Sequence, residues 1–171
     1  MFKWLTGGKR QEAEAAGGRD LLIVSRTVEA AIDRAFAVFV DNFNDWWPRD
    51  ATWGGDKLAA IGIEAKPNGR CFERTVEGTE SVWGTVLTLS RPDHIVIAWQ
   101  IKADRTPEEG EATASRVDVR FVETNPGTTE VVLVHRDFPR HGDGWEKYRA
   151  TMAAAKGWPR LIDLYAKAVA G

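Results

Sequence analysis

The chain has 171 residues, and its 23 Lys and Arg side chains nearly balance its 25 Asp and Glu side chains, giving a formal net charge of −2. This balance excludes the basic surface typical of DNA- and RNA-binding proteins, so nucleic acid is not an expected partner. Cys71 is the only cysteine, which excludes an intramolecular disulfide and favours a reducing compartment, the cytoplasm. The apolar runs are too short to predict a signal peptide or a membrane span.

The first segment differs in composition from the rest of the chain. Glycine pairs at positions 7–8 and 17–18 bracket a short, charged and alanine-rich piece. Such a segment predicts a flexible tail over residues 1–19. The hydrophobic content of 43% allows one domain with a sizeable core, which we expect over residues 20–171.

The domain is predicted to open with a strand and a helix. The segment LLIVSRTVEA, from Leu21, is rich in apolar and β-branched residues, as strands are. Polar residues around Asn44, followed by Pro48, then predict a second and very short helix. The first helix is indicated by apolar residues at helical spacing, namely Ile32, Phe36, Phe39, Val40 and Phe43.

Alternating apolar and polar residues predict six strands after Gly55. Turn signals with Pro, Asn or Gly separate most of them, so neighbouring strands are expected to pair antiparallel. A longer acidic link, DRTPEEGEATAS, joins the fourth and fifth of these strands. The six candidate strands span residues 57–65, 69–77, 81–90, 94–103, 114–124 and 129–138.

A last helix is predicted from one apolar face near the end of the chain, formed by Trp158, Leu161, Ile162, Tyr165 and Val169. Pro159 suits its first turn. The preceding segment EKYRATMAAAK is either a separate helix or part of a continuous one. The predicted fold class is α+β, with the order β-α-α, six strands and α. A curved antiparallel sheet of about seven strands would grip the long C-terminal helix.

One histidine is predicted to face the inside of the sheet. In the last strand the polar residues Glu130 and Arg136 share one parity, which leaves Val131, Leu133 and His135 on the other. In the strand before it, Phe121 points inward by the same argument. An inward histidine is either a core residue with both ring nitrogens hydrogen-bonded or the polar anchor of a ligand.

The stretch NDWWPRDATWGG carries three tryptophans among residues typical of turns. Trp46 and Trp47 follow the short helix, at the expected rim of the sheet's concavity. They either cap the hydrophobic core or form the wall of a binding cavity. Trp99 is assigned to the cavity side, whereas the orientation of Trp83 is open.

The sequence contains no GxSxG, HExxH, Walker or GxGxxG motif, and its three histidines lack metal-ligand spacing. Cys71 lies in a predicted strand without a nearby histidine, so structural burial is expected rather than a role as nucleophile. Glu73 and Arg74 lie on opposite faces of that strand. One of them is expected to face the concavity, in a structural ion pair.

Four segments carry a family resemblance: WWPRDATWG, GRCFERTVEGTESVWGTVLTLSRPDHIVIAWQI, TTEVVLVHRDFP and KGWPRLIDLYAKAV. They resemble bacterial relatives of the activator of the ninety-kilodalton heat-shock protein's ATPase, in the START-like superfamily with its polyketide cyclase-like members. The resemblance covers nearly everything from Leu21 to Ala170. It implies a helix-grip fold with a deep, mostly apolar cavity between the sheet and the last helix.

The predicted function is the binding of a small hydrophobic, aromatic molecule in this cavity, by a carrier or sensor. One alternative is a cyclase- or hydrolase-like enzyme that uses His135. The other is a co-chaperone-like module in which an exposed tryptophan, Trp46, Trp47 or Trp145, docks a chaperone or another protein. No cofactor or metal is expected. The candidate ligand-binding residues are Trp46, Trp47, Trp53, Phe72, Trp83, Trp99, Phe121, His135 and Trp158.

Overall fold

The structure, a computed structural model, describes residues 20–171, and the predicted N-terminal tail over residues 1–19 lies outside this range. Seven strands make one antiparallel sheet in the described chain. They are β1 (Leu22–Val28), β2 (Leu58–Ile63), β3 (Arg70–Thr75), β4 (Glu80–Ser90), β5 (His94–Trp99), β6 (Ser115–Asn125) and β7 (Thr128–Arg136). The α-helices are α1 (Ile32–Val40), α2 (Phe43–Trp46), α3 (Trp145–Ala153) and α4 (Trp158–Ala170).

The sheet has the strand order β1-β7-β6-β5-β4-β3-β2, so the first strand pairs with the last. The β6–β7 register places Val117 opposite His135 and Phe121 opposite Val131. All four side chains are buried, which confirms the inward parity predicted for both strands. The curled sheet thus presents one continuous apolar face to the helices.

Helices α1 and α4 fill one end of the sheet's concave face. The Tyr165 hydroxyl of α4 donates a hydrogen bond to the Ala35 carbonyl of α1, at 2.7 Å. The rings of Phe39 and Tyr165 meet edge to face with centroids 5.3 Å apart, and Phe36 meets Phe121 of β6 in the same way at 5.2 Å. The predicted helix-grip fold, with its curved sheet around the C-terminal helix, is confirmed.

The structure adds one helix to the predicted order. The segment before Pro159 forms the separate helix α3, which ends at Ala153. The chain then turns tightly at Gly157, where an added Cβ would lie 2.2 Å from the Met152 carbonyl oxygen. This close approach, together with the missing N–H of Pro159, separates α3 from α4.

Four predicted strands end earlier than expected: β2 at Ile63, β3 at Thr75, β5 at Trp99 and β7 at Arg136. Strand β7 ends at Arg136 because Asp137 takes a left-handed conformation, with φ of 64°, and starts a 3-10 turn over Phe138–His141. Strand β5 ends at Trp99, and the chain beyond it crosses the mouth of the concavity. None of the described helices is long and apolar enough to cross a membrane.

Candidate functional site

A cavity of about 310 Å³ lies at the end of the sheet that α1 does not cover. Four neighbouring strands, β2 to β5, each contribute one lining residue, namely Ile61, Glu73, Trp83 and Trp99. The other sides are closed by the segment after α2, the loop after β5, the end of α3, the α3–α4 turn and the first turn of α4. They contribute Trp47, Asp50, Ala51, Thr52, Trp53, Ile101, Arg105, Met152, Lys156, Gly157, Arg160 and Leu161.

Three tryptophans form a continuous aromatic wall. The ring centroids of Trp83 and Trp99 are 5.8 Å apart, and Trp47 lies 6.2 Å from Trp99 and 6.3 Å from Trp83. Each indole N–H donates to a protein oxygen: Trp47 to the Ala51 carbonyl, Trp83 to the Phe72 carbonyl and Trp99 to the Tyr148 hydroxyl. Since these donors are already used, the wall offers ring surface to a ligand.

The two adjacent tryptophans take different roles. Trp46 is 4% exposed, donates its indole N–H to the Val38 carbonyl at 3.0 Å and packs on Phe39, so it belongs to the core. Trp47 is 8% exposed and lines the cavity. The structure therefore places Trp46 in the core and Trp47 in the cavity wall.

Trp53 lies half-buried at the rim of the cavity. Its indole N–H donates to the Arg105 carbonyl, which joins the segment before β2 to the loop after β5. Both loops line the cavity. This hydrogen bond joins residues 52 positions apart in sequence and closes one side of the cavity.

Glu73 places a carboxylate in the cavity wall. It is 4% exposed, and its Oε1 and Oε2 accept backbone N–H groups from Gly54 at 2.7 Å and Trp53 at 3.2 Å. Arg74 is exposed and lies on the opposite face of β3. The expected ion pair is wrong for residues 20–171, where backbone amides rather than a cation compensate the buried carboxylate.

His135 is enclosed by protein on all sides. Its Nδ1 accepts the indole N–H of Trp158 at 3.0 Å, so the neutral ring carries its proton on Nε2, which lies 2.7 Å from the Ser115 hydroxyl. Burial lowers the pKa of His135 well below 6.5. The histidine is 0% exposed and does not line the cavity, which matches the first of its two interpretations, a satisfied core residue.

Three further predicted residues lie away from the cavity wall. Phe72 projects from the outer face of β3, over Gly62 and under the Arg70 guanidinium. Phe121 is buried against Phe36 and Phe39, in the core under α1. Trp158 is buried behind Trp99, with ring centroids 5.4 Å apart. Strand parity assigned Phe121 to the correct face, but a face extends well beyond the cavity.

Cys71 is fully buried in β3, next to Gly84 of the neighbouring strand. Burial raises the pKa of its thiol, so the reactive thiolate form is disfavoured. The side chain does not line the cavity. Within residues 20–171, no three His, Cys, Asp or Glu side chains are grouped so as to hold a metal ion.

The mouth of the cavity carries most of its charged groups. Arg160 forms an exposed ion pair with Asp50 at 3.0 Å. Arg105 lies over the Tyr148 ring, 5.2 Å from its centroid, and Lys156 is exposed in the α3–α4 turn. Neither Arg105 nor Lys156 forms an ion pair with a carboxylate of the described residues. The entrance is therefore positively charged on balance.

Sequence reasoning missed several lining residues for an identifiable reason. Arg105 and Ile101 belong to the long link after β5, whose path no periodicity predicts. Met152 lies on α3, a helix left undecided from the sequence. Leu161 belongs to the predicted apolar face of α4. Its position in the first turn of that helix is the sequence feature that could have indicated a place in the cavity wall.

Comparison with solved structures identifies proteins of similar fold. An anthrahydroquino-gamma-pyrone synthase, Txn09, is 28% identical, with a TM-score of 0.62 over 86% of this chain and 96% of its own. The self-sacrificing resistance protein CalC from Micromonospora echinospora is 26% identical, with a TM-score of 0.61 over 87% and 93%. A protein from Nitrosomonas europaea shares the fold at 13% identity, with a TM-score of 0.61 over 88% and 94%.

Sequence comparison gives a consistent assignment. No curated protein sequence matches this chain. A family profile described as activator of Hsp90 ATPase homolog 1-like protein matches residues 29–170, which include every strand after β1 and all four helices. The fold agrees with that of Txn09 and CalC. The chain therefore belongs to the activator of Hsp90 ATPase homolog 1-like protein family.

Proposed function

We propose that this protein binds a small aromatic molecule in the cavity, as a carrier or sensor. The observation that carries the proposal is the lining by Trp47, Trp53, Trp83 and Trp99. All four indole N–H groups donate to protein oxygens, so the cavity presents ring faces. Flat aromatic ligands match such faces by stacking and edge-to-face contact.

The size of the cavity limits the ligand. A volume of about 310 Å³ is at the small end of ligand sites and suits about two or three fused rings. Burying about 200 Å² of apolar ligand surface would contribute about 5 kcal/mol before association costs. Polar contacts are therefore needed for tight binding.

The names of two relatives above a quarter identity support a role in small-molecule chemistry. One is named as a synthase of an anthrahydroquino-gamma-pyrone and the other as a resistance protein. The name of the first specifies a fused aromatic product. A fused aromatic ligand class is therefore what we propose for this chain.

The two alternative functions have less support from the geometry. Catalysis by His135 requires contact with a substrate, whereas both nitrogens of this ring have protein partners and the ring lies behind Trp99. Docking of a chaperone through a tryptophan requires an exposed ring, whereas Trp46 and Trp47 are buried and Trp145 is half-buried against the core.

The experiment that tests the proposal uses N-phenyl-1-naphthylamine, whose emission rises in apolar sites. Ile101 lines the cavity beside Trp99, so Ile101→Trp would fill part of its space. We expect the wild-type protein to bind the probe saturably and the variant to bind about tenfold more weakly. Titration of probe emission measures both dissociation constants.

Val76→Trp is the matched control, because it also adds one tryptophan but at a side chain that is 70% exposed and outside the cavity. We expect it to bind the probe as the wild-type protein does. Equal binding by all three proteins would place the probe elsewhere and overturn the proposed site. Absence of saturable binding to the wild-type protein would overturn the proposal as a whole.

A further inference from the structure

Glu73 is a buried carboxylate whose hydrogen-bonding capacity is half used. An ionised carboxylate has about four acceptor positions on its two oxygens. In the described chain, Glu73 receives two hydrogen bonds, from the N–H groups of Gly54 and Trp53. One acceptor position on each oxygen therefore remains.

The surroundings of Glu73 give it no cation. Glu73 is only 4% exposed, and no Lys, Arg or His of the described residues forms an ion pair with it. Its neighbour across the strand pair is Ile61, and both line the cavity. A buried carboxylate is stabilised by each hydrogen bond that it accepts, so a donor arriving in the cavity would be bound strongly.

The charges around the cavity restrict which donor this is. An anionic ligand group would be repelled by the Glu73 carboxylate at the wall. A cationic ligand would pass Arg105, Lys156 and Arg160, which line the same cavity. Only a neutral hydroxyl or N–H group satisfies Glu73 without opposing the cations at the mouth.

We propose that the ligand is a neutral hydroxylated aromatic molecule, of the phenol or naphthol type, whose hydroxyl group donates to the Glu73 carboxylate. This inference rests on the proposed function, since it assumes an aromatic ligand in the cavity. It adds the polar contact that the apolar wall does not supply. Glu73, rather than His135, then provides the directional recognition.

Three naphthalene probes of similar size test the inference in the wild-type protein. 2-Naphthol carries a neutral donor, 2-methoxynaphthalene lacks it, and 2-(aminomethyl)naphthalene is a cation. We expect 2-naphthol to bind about tenfold more tightly than 2-methoxynaphthalene, although the ether is more apolar. The cation is expected to bind more weakly than 2-naphthol. Quenching of tryptophan emission and calorimetry measure the three constants.

Variants of Glu73 assign the preference to this residue. In Glu73→Gln we expect the 2-naphthol preference to fall to about unity, while 2-methoxynaphthalene binds within about twofold of wild type. Glu80→Gln, at an exposed glutamate of β4 that pairs with Arg70, is the matched control and should keep the preference. If Glu73→Gln does not fold, Glu73→Asp, which retracts the carboxylate, replaces it.

Each outcome decides between the two proposals. Equal binding of 2-naphthol and 2-methoxynaphthalene overturns the role of Glu73 and leaves the aromatic site standing. Retention of the preference in the Glu73 variants also overturns that role. Tightest binding of the cation overturns the neutral class of ligand. If none of the three probes binds, the proposed function fails, and this inference fails with it.

Discussion

At the scale of single residues, His135 and His141 are linked through one hydroxyl group. Ser115 Oγ lies 2.7 Å from Nε2 of each ring. His135 donates to this oxygen, so the hydroxyl donates in turn to His141. Nδ1 of His141 has no hydrogen-bond partner in the part of the chain that the structure describes, and it lies 4.0 Å from the Glu108 carboxylate. The network holds the start of β6 against the turn after β7.

This network makes folding sensitive to acid. Burial lowers the pKa of His135 well below 6.5 and also lowers the pKa of His141. Both rings are therefore neutral in the folded protein at pH values where the unfolded chain already binds protons. The contribution of the two histidines to the free energy of unfolding is present in full above about pH 6.5 and falls below it. His135 alone gives a slope approaching about 1.4 kcal/mol per pH unit, and His141 adds to it. Urea denaturation as a function of pH measures the slope.

His135→Phe is the variant that separates the two histidines. We expect the slope below about pH 6.5 to fall by more than half, because burial lowers the pKa of His135 further than that of His141. The free energy of unfolding itself should drop, since Ser115 and Trp158 lose a partner. Binding of the naphthalene probes should persist. An unchanged slope would contradict the assignment, and loss of probe binding in a folded variant would return His135 to the ligand site.

The sequence predicts which face of the sheet a side chain occupies better than it predicts whether that side chain reaches the cavity. Alternation along β7 predicts correctly that His135 lies on the inner face, because successive side chains of any strand point to opposite faces of the sheet. It does not determine which part of that face the helices cover. Phe72 shows a different limit, since an aromatic residue in a strand of alternating burial was assigned to the cavity and lies on the outer face.

At the scale of secondary structure, the sequence predicts the strands and the two long helices but not helix α3 or the path of the long loop after β5. The apolar stripes of α1 and α4 and the alternation of the strands extend over enough residues to outweigh local exceptions. Helix α3 buries only Tyr148 and Met152, so it shows little periodicity. The path of residues 100–114 depends on contacts with α3 and Trp53 that are distant in sequence.

The joint between α3 and α4 gives a prediction at this scale. A Cβ at Gly157 would lie within 3 Å of three backbone atoms of Thr151 and Met152. We expect Gly157→Ala to lower the free energy of unfolding by at least about 2 kcal/mol and to weaken probe binding, because Gly157 lines the cavity. Urea denaturation and probe titration measure the two effects.

Gly62→Ala is the matched control. A Cβ at Gly62 meets the Phe72 ring at 3.5 Å, an ordinary contact. We expect its unfolding free energy to stay within about 0.5 kcal/mol of wild type, or to rise. A tolerated Gly157→Ala, with unchanged stability and binding, would mean that the α3–α4 turn is not held in this close contact.

At the scale of the whole molecule, the cavity follows from an unequal filling of the sheet. Helix α1 and the middle of α4 cover the strands β1, β6 and β7 with aromatic core. Strands β2 to β5 extend beyond them, and α4 reaches this end only with its first turn. Short segments then roof the remaining space without filling it. The helix-grip order, which the sequence predicts, implies such a space but not its size or its lining.

The central claim is that this space binds an aromatic molecule, and a heavy-atom ligand tests it most directly. Crystals of the protein soaked with 1-bromonaphthalene should show one anomalous bromine peak inside the cavity, with the ring system against Trp83 and Trp99. Because the ligand would occupy the existing cavity, the core side chains around it should keep their positions. A cavity without a peak, in crystals whose soak concentration exceeds the dissociation constant measured in solution, would contradict the account.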